Sequence, residues 1–324
     1  MSKLLSSKSQ RNTPPNKRMQ PLGVAAGVPV SSVQDLVRSS SLVSGACTEP
    51  MTKEVYGTLL STDDYLPGVL VLNKSLKLAG AKYPLVCILS HDISDASEEI
   101  LRRFQIQTIR LDGPVAPHSR HGNEEFAHWA HTWDKLELFR LTQFEKVVFL
   151  DSDMLILSNI DELFEMSSVS AVCAGARFPG NESWVALNSG LMVLTPDSGT
   201  YEGMVDCLPE IQSKKGNFGD QECVDEYLKR SGAGYNRLDD QYNLFQVYLD
   251  HYIGNLGYSL TGRSGRQIKV IHYIGTEKPW VRKGLLSKLE LLIRIFRADG
   301  KYQAAAYLMY YRVLREFRTV LPGG

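Results

Sequence analysis

The sequence predicts an α/β fold: a mostly parallel sheet with helices on both faces, followed by a helical C-terminal extension. Three observations predict it. Short apolar runs alternate with helical periodicities from Glu54 to Leu150, the rhythm of strand–helix–strand units. The runs LVCIL and KVVFL are apolar without alternation, as in strands covered on both faces. The chain has 324 residues, 43% hydrophobic and 22% charged, which is globular composition with enough length for a large core.

Order is expected to begin near Lys53, with a first strand over Glu54–Ser61. Tyr65–Ala79 follows as a helix, because Leu66, Val69, Leu70 and Leu76 recur at helical spacing. Pro84–Ser90 is a second strand. Ser94 reads as a helix cap, with Glu98 and Glu99 in the early turns where the helix dipole favours acids. Ile106–Leu111 is a third strand. The stretch 112–130 is rich in His, Gly and Pro and reads as loop. Trp133–Leu141 reads as a helix and Lys146–Leu150 as a buried strand. Right-handed crossovers then gather the carboxyl ends of these strands on one edge, where such sheets bind ligands. After residue 151 the rhythm changes to a strand over Leu187–Leu194, a short helix over Asp220–Lys229 and a late strand over Ile268–Tyr273, without internal repeats.

The formal charge is zero, from 36 Lys+Arg against 36 Asp+Glu, but it is unevenly spread. The residues before Asp35 include five bases and no acid, residues 35–280 carry a net −11, and residues 281–324 a net +6. The acidic body argues against a nucleic-acid partner, which needs a basic groove. The expected organisation is a disordered basic leader over 1–52, one α/β domain over 53–280 and a basic amphipathic helical extension over 281–324. Five scattered cysteines without a CxxC read as free thiols of a reducing compartment, so a cytoplasmic location is expected. The acid-free stretch 1–34 also reads as an organellar transit peptide. There is no run of 18 apolar residues, so no spanning helix is expected.

Chemistry concentrates in four places. Asp151-Ser152-Asp153 follows the apolar strand Lys146–Leu150. If the extended conformation persists, the two carboxylates face the same way, and a hard cation such as Mg²⁺ or Mn²⁺ between them relieves their repulsion. His272-Tyr273-Ile274-Gly275-Thr276-Glu277-Lys278-Pro279-Trp280 brings an imidazole that can complete a carboxylate metal site. Its Lys and its backbone N–H groups near Gly275 suit phosphate oxygens. Asn188-Ser189-Gly190 interrupts an apolar strand with a glycine that permits close approach. Gly219-Asp220-Gln221-Glu222 opens a helix, where an acid also serves as a simple cap.

The order of these motifs resembles glycosyltransferase family eight, the retaining group with a GT-A fold that includes glycogenin and galactinol synthase. Leu59-Leu60-Ser61-Thr62-Asp63-Asp64-Tyr65 resembles the family's first strand and uridine-binding loop. Trp133-x-Lys135-Leu136 resembles the helix before the metal motif, and Asn159–Phe164 the segment after it. The resemblance covers roughly Lys53 to Lys283. It implies a UDP-hexose donor and Mn²⁺, with Mg²⁺ as the alternative, held by Asp151, Asp153 and His272. It places Gly275 and Lys278 on the phosphates, and Leu59, Ser61, Asp63, Tyr65 and Ser152 along the nucleotide. It sets Lys135, Asn188, Ser189, Gly190, Asp220 and Gln221 around the donor sugar, with Asp220, Gln221 and Lys278 as the catalytic set. The acceptor is left open among carbohydrate, polyol, lipid and protein. The family's arginine before the Lys135 helix has no match closer than Arg120, and self-glycosylation is not carried over.

Other readings compete. His118, His121, His128 and His131 invite a zinc site, but no cysteine lies near them. A loop over the donor site is the stronger reading, with Trp129 and Trp133 stacking on a sugar or base. An apolar strand ending in Asp-x-Asp also resembles the haloacid-dehalogenase phosphatases, with Lys229 and Asp239-Asp240 imitating their later motifs. A catalytically inactive sugar-nucleotide-binding protein is the third reading. In the extension, Leu285, Leu286, Leu289, Leu292, Ile293 and Phe296 recur at helical spacing. Tyr307, Tyr310, Leu314, Phe317 and Leu321 do so with Arg312, Arg315 and Arg318 interleaved. Packing on the body or in a homodimer is expected, with peripheral membrane contact through 285–321 as the alternative.

Overall fold

A computed structural model describes residues 53–113, 132–215, 219–281 and 284–321. The leader 1–52 and the four histidines between 118 and 131 lie outside the described residues.

Strand β1 (Glu54–Leu60) is buried over nearly its whole length. A short 3₁₀ turn, Asp63–Tyr65, leads into α1 (Leu66–Leu78), which has Pro67 in its first turn. The expected helix therefore starts one residue later, behind that turn. Strand β2 (Leu85–Leu89) is wholly buried. Helix α2 (Asp95–Arg103) is capped as expected, the Ser94 hydroxyl accepting from the Ser97 N–H at 3.2 Å. Strands β3 (Gln107–Arg110) and β4 (Lys146–Leu150) complete the first half.

The expected helix at Trp133–Leu141 is instead a 3₁₀ helix, Thr132–Arg140. Every residue from Trp133 to Phe139 is buried, so no single apolar face marks the pitch of this segment.

Beyond β4 the chain forms β5 (Met154–Ile156), β6 (Ser170–Val172), β7 (Asn188–Leu194), α3 (Ser198–Lys215), α4 (Asp220–Arg230), β8 (Asn236–Leu238) and β9 (Leu244–Phe245). Then come α5 (Leu249–Asn255), β10 (Tyr258–Ser259), β11 (Arg266–Gln267) and β12 (Val270–His272). Helices α6 (Leu285–Arg297) and α7 (Lys301–Leu314) close it. Helix α3 escaped the sequence reading: Pro209 lies inside it and its apolar spacing is weak.

The main sheet has seven strands in the order β3-β2-β1-β4-β7-β6-β8. Strands β3, β2, β1 and β4 are mutually parallel, and β7 runs antiparallel to both β4 and β6. Strands β5, β12 and β9 form a separate small sheet. The pleat divides the core in two. Tyr56, Leu60, Val148 and Leu150 face one layer with α1, while Val55, Leu59, Val147 and Phe149 face another with the 3₁₀ helix and α4. Helices thus cover both faces, as the apolar runs predict.

The extension behaves in two ways. Tyr307, Tyr310, Leu314 and Phe317 are buried in the same core as α1, and the Tyr273 hydroxyl donates to the Ala306 carbonyl at 2.7 Å. In α6 only Leu291 and Ile295 are buried; Leu285, Leu286, Leu289, Ile293 and Phe296 stay exposed. The expected packing therefore holds for α7 and for one side of α6. The four described cysteines are free thiols, and no helix among the described residues is long and apolar enough to cross a membrane.

Candidate active site

Strand pairing assembles the site. Asp151 stands just past β4, and its N–H donates to the Gly190 carbonyl of β7 at 2.8 Å. The chain then turns, the Met154 N–H donating to the Asp151 carbonyl at 3.2 Å. The extended conformation does not persist through Asp153, so strand alternation is not what brings the carboxylates together. The turn does. It delivers β5 antiparallel to β12 in a register that sets Met154 opposite His272, and the Tyr273 N–H donates to the Asp153 carbonyl at 3.0 Å.

His272 Nε2 consequently lies 3.1 Å from Asp153 Oδ1 and 3.7 Å from Asp151 Oδ2. One ligand atom from each of the three residues falls within 4.8 Å of the others. Lys278 Nζ stands 2.5 Å from Asp153 Oδ2, and 5.9 Å from the centre of the Tyr65 ring. The 3₁₀ helix contributes the other cation. Buried Lys135 Nζ is 3.0 Å from Asp151 Oδ1, 2.9 Å from Asp220 Oδ2 and 3.4 Å from Ser189 Oγ.

These contacts split the two carboxylates electrically. Burial pushes the Asp151 carboxyl above its usual range, and Asp153 adds to the push, against the pull of Lys135. Burial acts on Asp153 too, but His272 and Lys278 outweigh it and hold that carboxyl well below its usual range. Burial opposes the charge on Lys135 and on Lys278, yet their carboxylate partners raise both.

A polar chain continues toward α4. Gly190 N–H donates to Asn188 Oδ1 at 3.1 Å, and Asn188 Nδ2 donates to Gln221 Oε1 at 3.0 Å. Gly190 has no room for a side chain: a Cβ would come within 2.6 Å of His272 Cε1 and 2.9 Å of Asp151 Oδ2. This is the close approach expected of a glycine inside an apolar strand.

The structure thus gathers Lys135, Asp151, Asp153, Asn188, Ser189, Gly190, Asp220, Gln221, His272 and Lys278 around one point. Ser152 is buried in the turn between the two aspartates. Gly275 adopts φ +93°, the left-handed conformation that glycine favours, in the loop carrying Lys278. Tyr65 adjoins that loop, edge-to-face with Trp280 at 5.4 Å. Leu59 and Ser61 sit at the carboxyl end of β1, Leu59 within the core. Asp63 is turned toward α2, accepting from the Ser94 N–H at 3.2 Å and hydroxyl at 3.0 Å.

Two residues escaped the sequence reading. Asn243 is fully buried, with Oδ1 3.0 Å from His272 Nδ1 and Nδ2 donating to Asn188 Oδ1 at 2.7 Å. Gln246 brackets the backbone of Ile274 with two hydrogen bonds of 2.9 Å, at the start of the Gly275 loop. Both are polar residues in the otherwise apolar run Tyr242–Val247, and that is the one local signal they carry. The residues invoked for a phosphatase point elsewhere. Lys229 pairs with Asp225 at 2.5 Å on α4, and Asp239 pairs with Arg266 and caps a turn at Gln241.

Comparison with known proteins bears directly on this arrangement. The model of the family described as Glycosyl transferase family 8 matches residues 58–284. Mouse (Mus musculus) glycogenin-1 is 33% identical over 235 residues, covering 71% of this chain and 66% of its own. A putative UDP-glucuronate:xylan alpha-glucuronosyltransferase 3 of Arabidopsis thaliana is 32% identical over 240 residues, 71% of this chain and 35% of its own. This chain therefore spans about two thirds of the one relative and about a third of the other. Among solved structures, galactosyltransferase LgtC, in complex with donor and acceptor sugar analogues, superposes with a TM-score of 0.55 at 16% identity. It covers 83% of this chain and 100% of its own. The glycosyltransferase GlyE of Streptococcus pneumoniae gives 0.51 at 17% identity over 82% of this chain and 63% of its own. The fold is the GT-A type.

Proposed function

The chain belongs to glycosyl transferase family 8 and is a glycosyltransferase, and from that membership we propose that it moves a hexose, glucose or galactose, from a UDP-sugar to an acceptor with retention of configuration. The observation that carries this reading is the convergence of Asp151, Asp153 and His272 beside Lys278, at the carboxyl edge of parallel strands.

The donor set suits a hard divalent ion: two carboxylates whose mutual repulsion a cation relieves, and one imidazole nitrogen. Asp151, Asp153 and His272 would hold Mn²⁺, or Mg²⁺, whose charge would stabilise the diphosphate leaving group. The chain's own groups do the rest. Lys278 leaves Asp153 for the phosphate oxygens, on a loop that Gly275 allows to approach closely. Asp220, held by Lys135, faces the positive charge that grows on the sugar as its bond to the diphosphate breaks, beside Gln221, whose amide carbonyl Asn188 holds and whose amide nitrogen is left to donate to the sugar's oxygens. Leu59, Ser61, Asp63 and Tyr65 flank the nucleoside end, while Ser152, Ser189 and Gly190 shape the floor beneath the diphosphate and sugar.

The test is a donor screen with Mn²⁺ that reads released UDP and includes UDP-glucuronate, the substrate in one relative's name. One sugar nucleotide is expected to turn over, and chelation, Asp151→Ala or Asp153→Ala to abolish it. Inorganic phosphate as the product, or turnover indifferent to chelation and both variants, overturns the reading.

A further inference from the structure

One backbone amide fixes the direction of a chain of side chains through the site. The Gly190 N–H can only donate, so the Asn188 atom 3.1 Å from it is an acceptor, Oδ1. The Asn243 atom 2.7 Å from that same Oδ1 must then be a donor, Nδ2. Asn243 therefore turns its carbonyl oxygen to His272 Nδ1, 3.0 Å away. A nitrogen lone pair at that distance would repel the oxygen, so Nδ1 carries a proton. In the other direction, Asn188 presents Nδ2 to Gln221, 3.0 Å away, which must accept through Oε1. The donor end of the chain is then the Gln221 amide nitrogen.

We propose that Asn243 is a positioning residue that holds a proton on His272 Nδ1, dedicating Nε2 to the aspartate pair, and that through Asn188 it orients the Gln221 amide. Its consequence for metal affinity and turnover rests on the function proposed above; the hydrogen-bond directions do not. Groups one step removed from a metal ligand set its tautomer and ring orientation, and their loss commonly weakens metal binding ten- to a hundredfold. Asn243 is completely buried, so neither of its contacts is shared with bulk water.

The experiment separates the two halves of the amide. ¹⁵N-histidine spectra of the full chain, metal-free and with Mg²⁺ plus UDP, should show His272 Nδ1 protonated in both states. An unprotonated Nδ1 in either state overturns the proposal. Asn243→Leu, which removes both contacts, should lose that Nδ1–H signature and bind Mn²⁺ about 10- to 100-fold more weakly by electron paramagnetic resonance. Affinity equal to the wild type overturns it. Asn243→Asp keeps the acceptor for His272 and loses the donor to Asn188. It should retain the Nδ1–H and bind Mn²⁺ at least as well as the wild type, while kcat falls about 10-fold or more. Unchanged kcat in that variant removes Asn188 and Gln221 from the proposal. If Asn243→Leu does not fold, the wild-type spectra and Asn243→Asp still decide. If Nδ1 is protonated but Mg²⁺ leaves the Nε2 resonance unmoved and Mn²⁺ does not bind, the metal reading falls and the positioning role stands.

Discussion

Lys278 and Asp153 form a 2.5 Å ion pair between side chains that are 11% and 9% exposed, across 125 residues of sequence. Each holds the other in its charged form. The pair ties the loop after β12 to the turn after β4, and under the function proposed above it keeps a cation within reach of the donor's phosphates.

Lys278→Ala is therefore expected to lower kcat about 100-fold, the scale of removing one charge-stabilising donor. The protein should still fold, because Asp153 keeps His272 as a partner. UDP release and a thermal melt check the two parts; unchanged kinetics remove Lys278 from the phosphate side.

Gly68→Ala should reverse the usual sign of a helix substitution. In an open helix alanine gains about 1 kcal/mol over glycine. In α1 an added Cβ would lie 2.5 Å from the Ser152 carbonyl oxygen and 2.9 Å from Trp280 Cη2. Overpacking of this kind costs about 1–3 kcal/mol. Ser152 lies between the two aspartates, so Mn²⁺ affinity should fall together with stability. A stabilised variant with normal metal binding contradicts the packing described.

Neighbours on α6 should differ sharply. Ile295 is 8% exposed in the core and Phe296 is 66% exposed. Ile295→Ala is expected to cost about 2–5 kcal/mol through lost burial and the cavity left behind. Phe296→Ala should fall within about 0.5 kcal/mol of the wild type. Urea titrations of both variants measure the difference, and equal costs would mean that α6 packs through another face.

Glu98 supplies a pH dependence. The Arg110 guanidinium, 2.6 Å away, holds its carboxyl below the usual carboxylate range, joining α2 to β3. The folded value is lower than the unfolded one, so the stabilisation is present above the unfolded value, about 4.3, and is lost as pH falls through the folded value. Glu98→Gln should cost about 1 kcal/mol near neutral pH. Its deficit should shrink toward zero as Glu98 of the wild type protonates. Urea midpoints across acid and neutral pH give the comparison; a deficit that is constant with pH would separate it from the ion pair.

Much of this was legible because it is local. The runs LVCIL and KVVFL announced buried parallel strands, and Ser94 announced its cap. The helix expected at Trp133–Leu141 is a 3₁₀ helix, a difference its residues do not announce because all of Trp133 to Phe139 are buried and no one face sets the pitch. Helix α3 was hidden by Pro209. Asn243 and Gln246 were invisible as site residues, since a single amide in an apolar run has no periodicity and no motif.

By itself, the sequence determined the fold class, the motif order and the residue types at each motif, because these depend on neighbours along the chain. Only the tertiary structure decided how they meet. The turn at Ser152 replaced an extended strand, and the antiparallel pairing of β5 with β12 set Met154 opposite His272. Antiparallel pairing of β4 with β7 brought Gly190 to Asp151. The glycine's missing Cβ then let His272, Asn188 and Asp151 close on the space that a side chain would fill. Strand register between distant segments is fixed by burial on a shared core and by paired hydrogen bonds, and neither quantity exists until the sheet has formed.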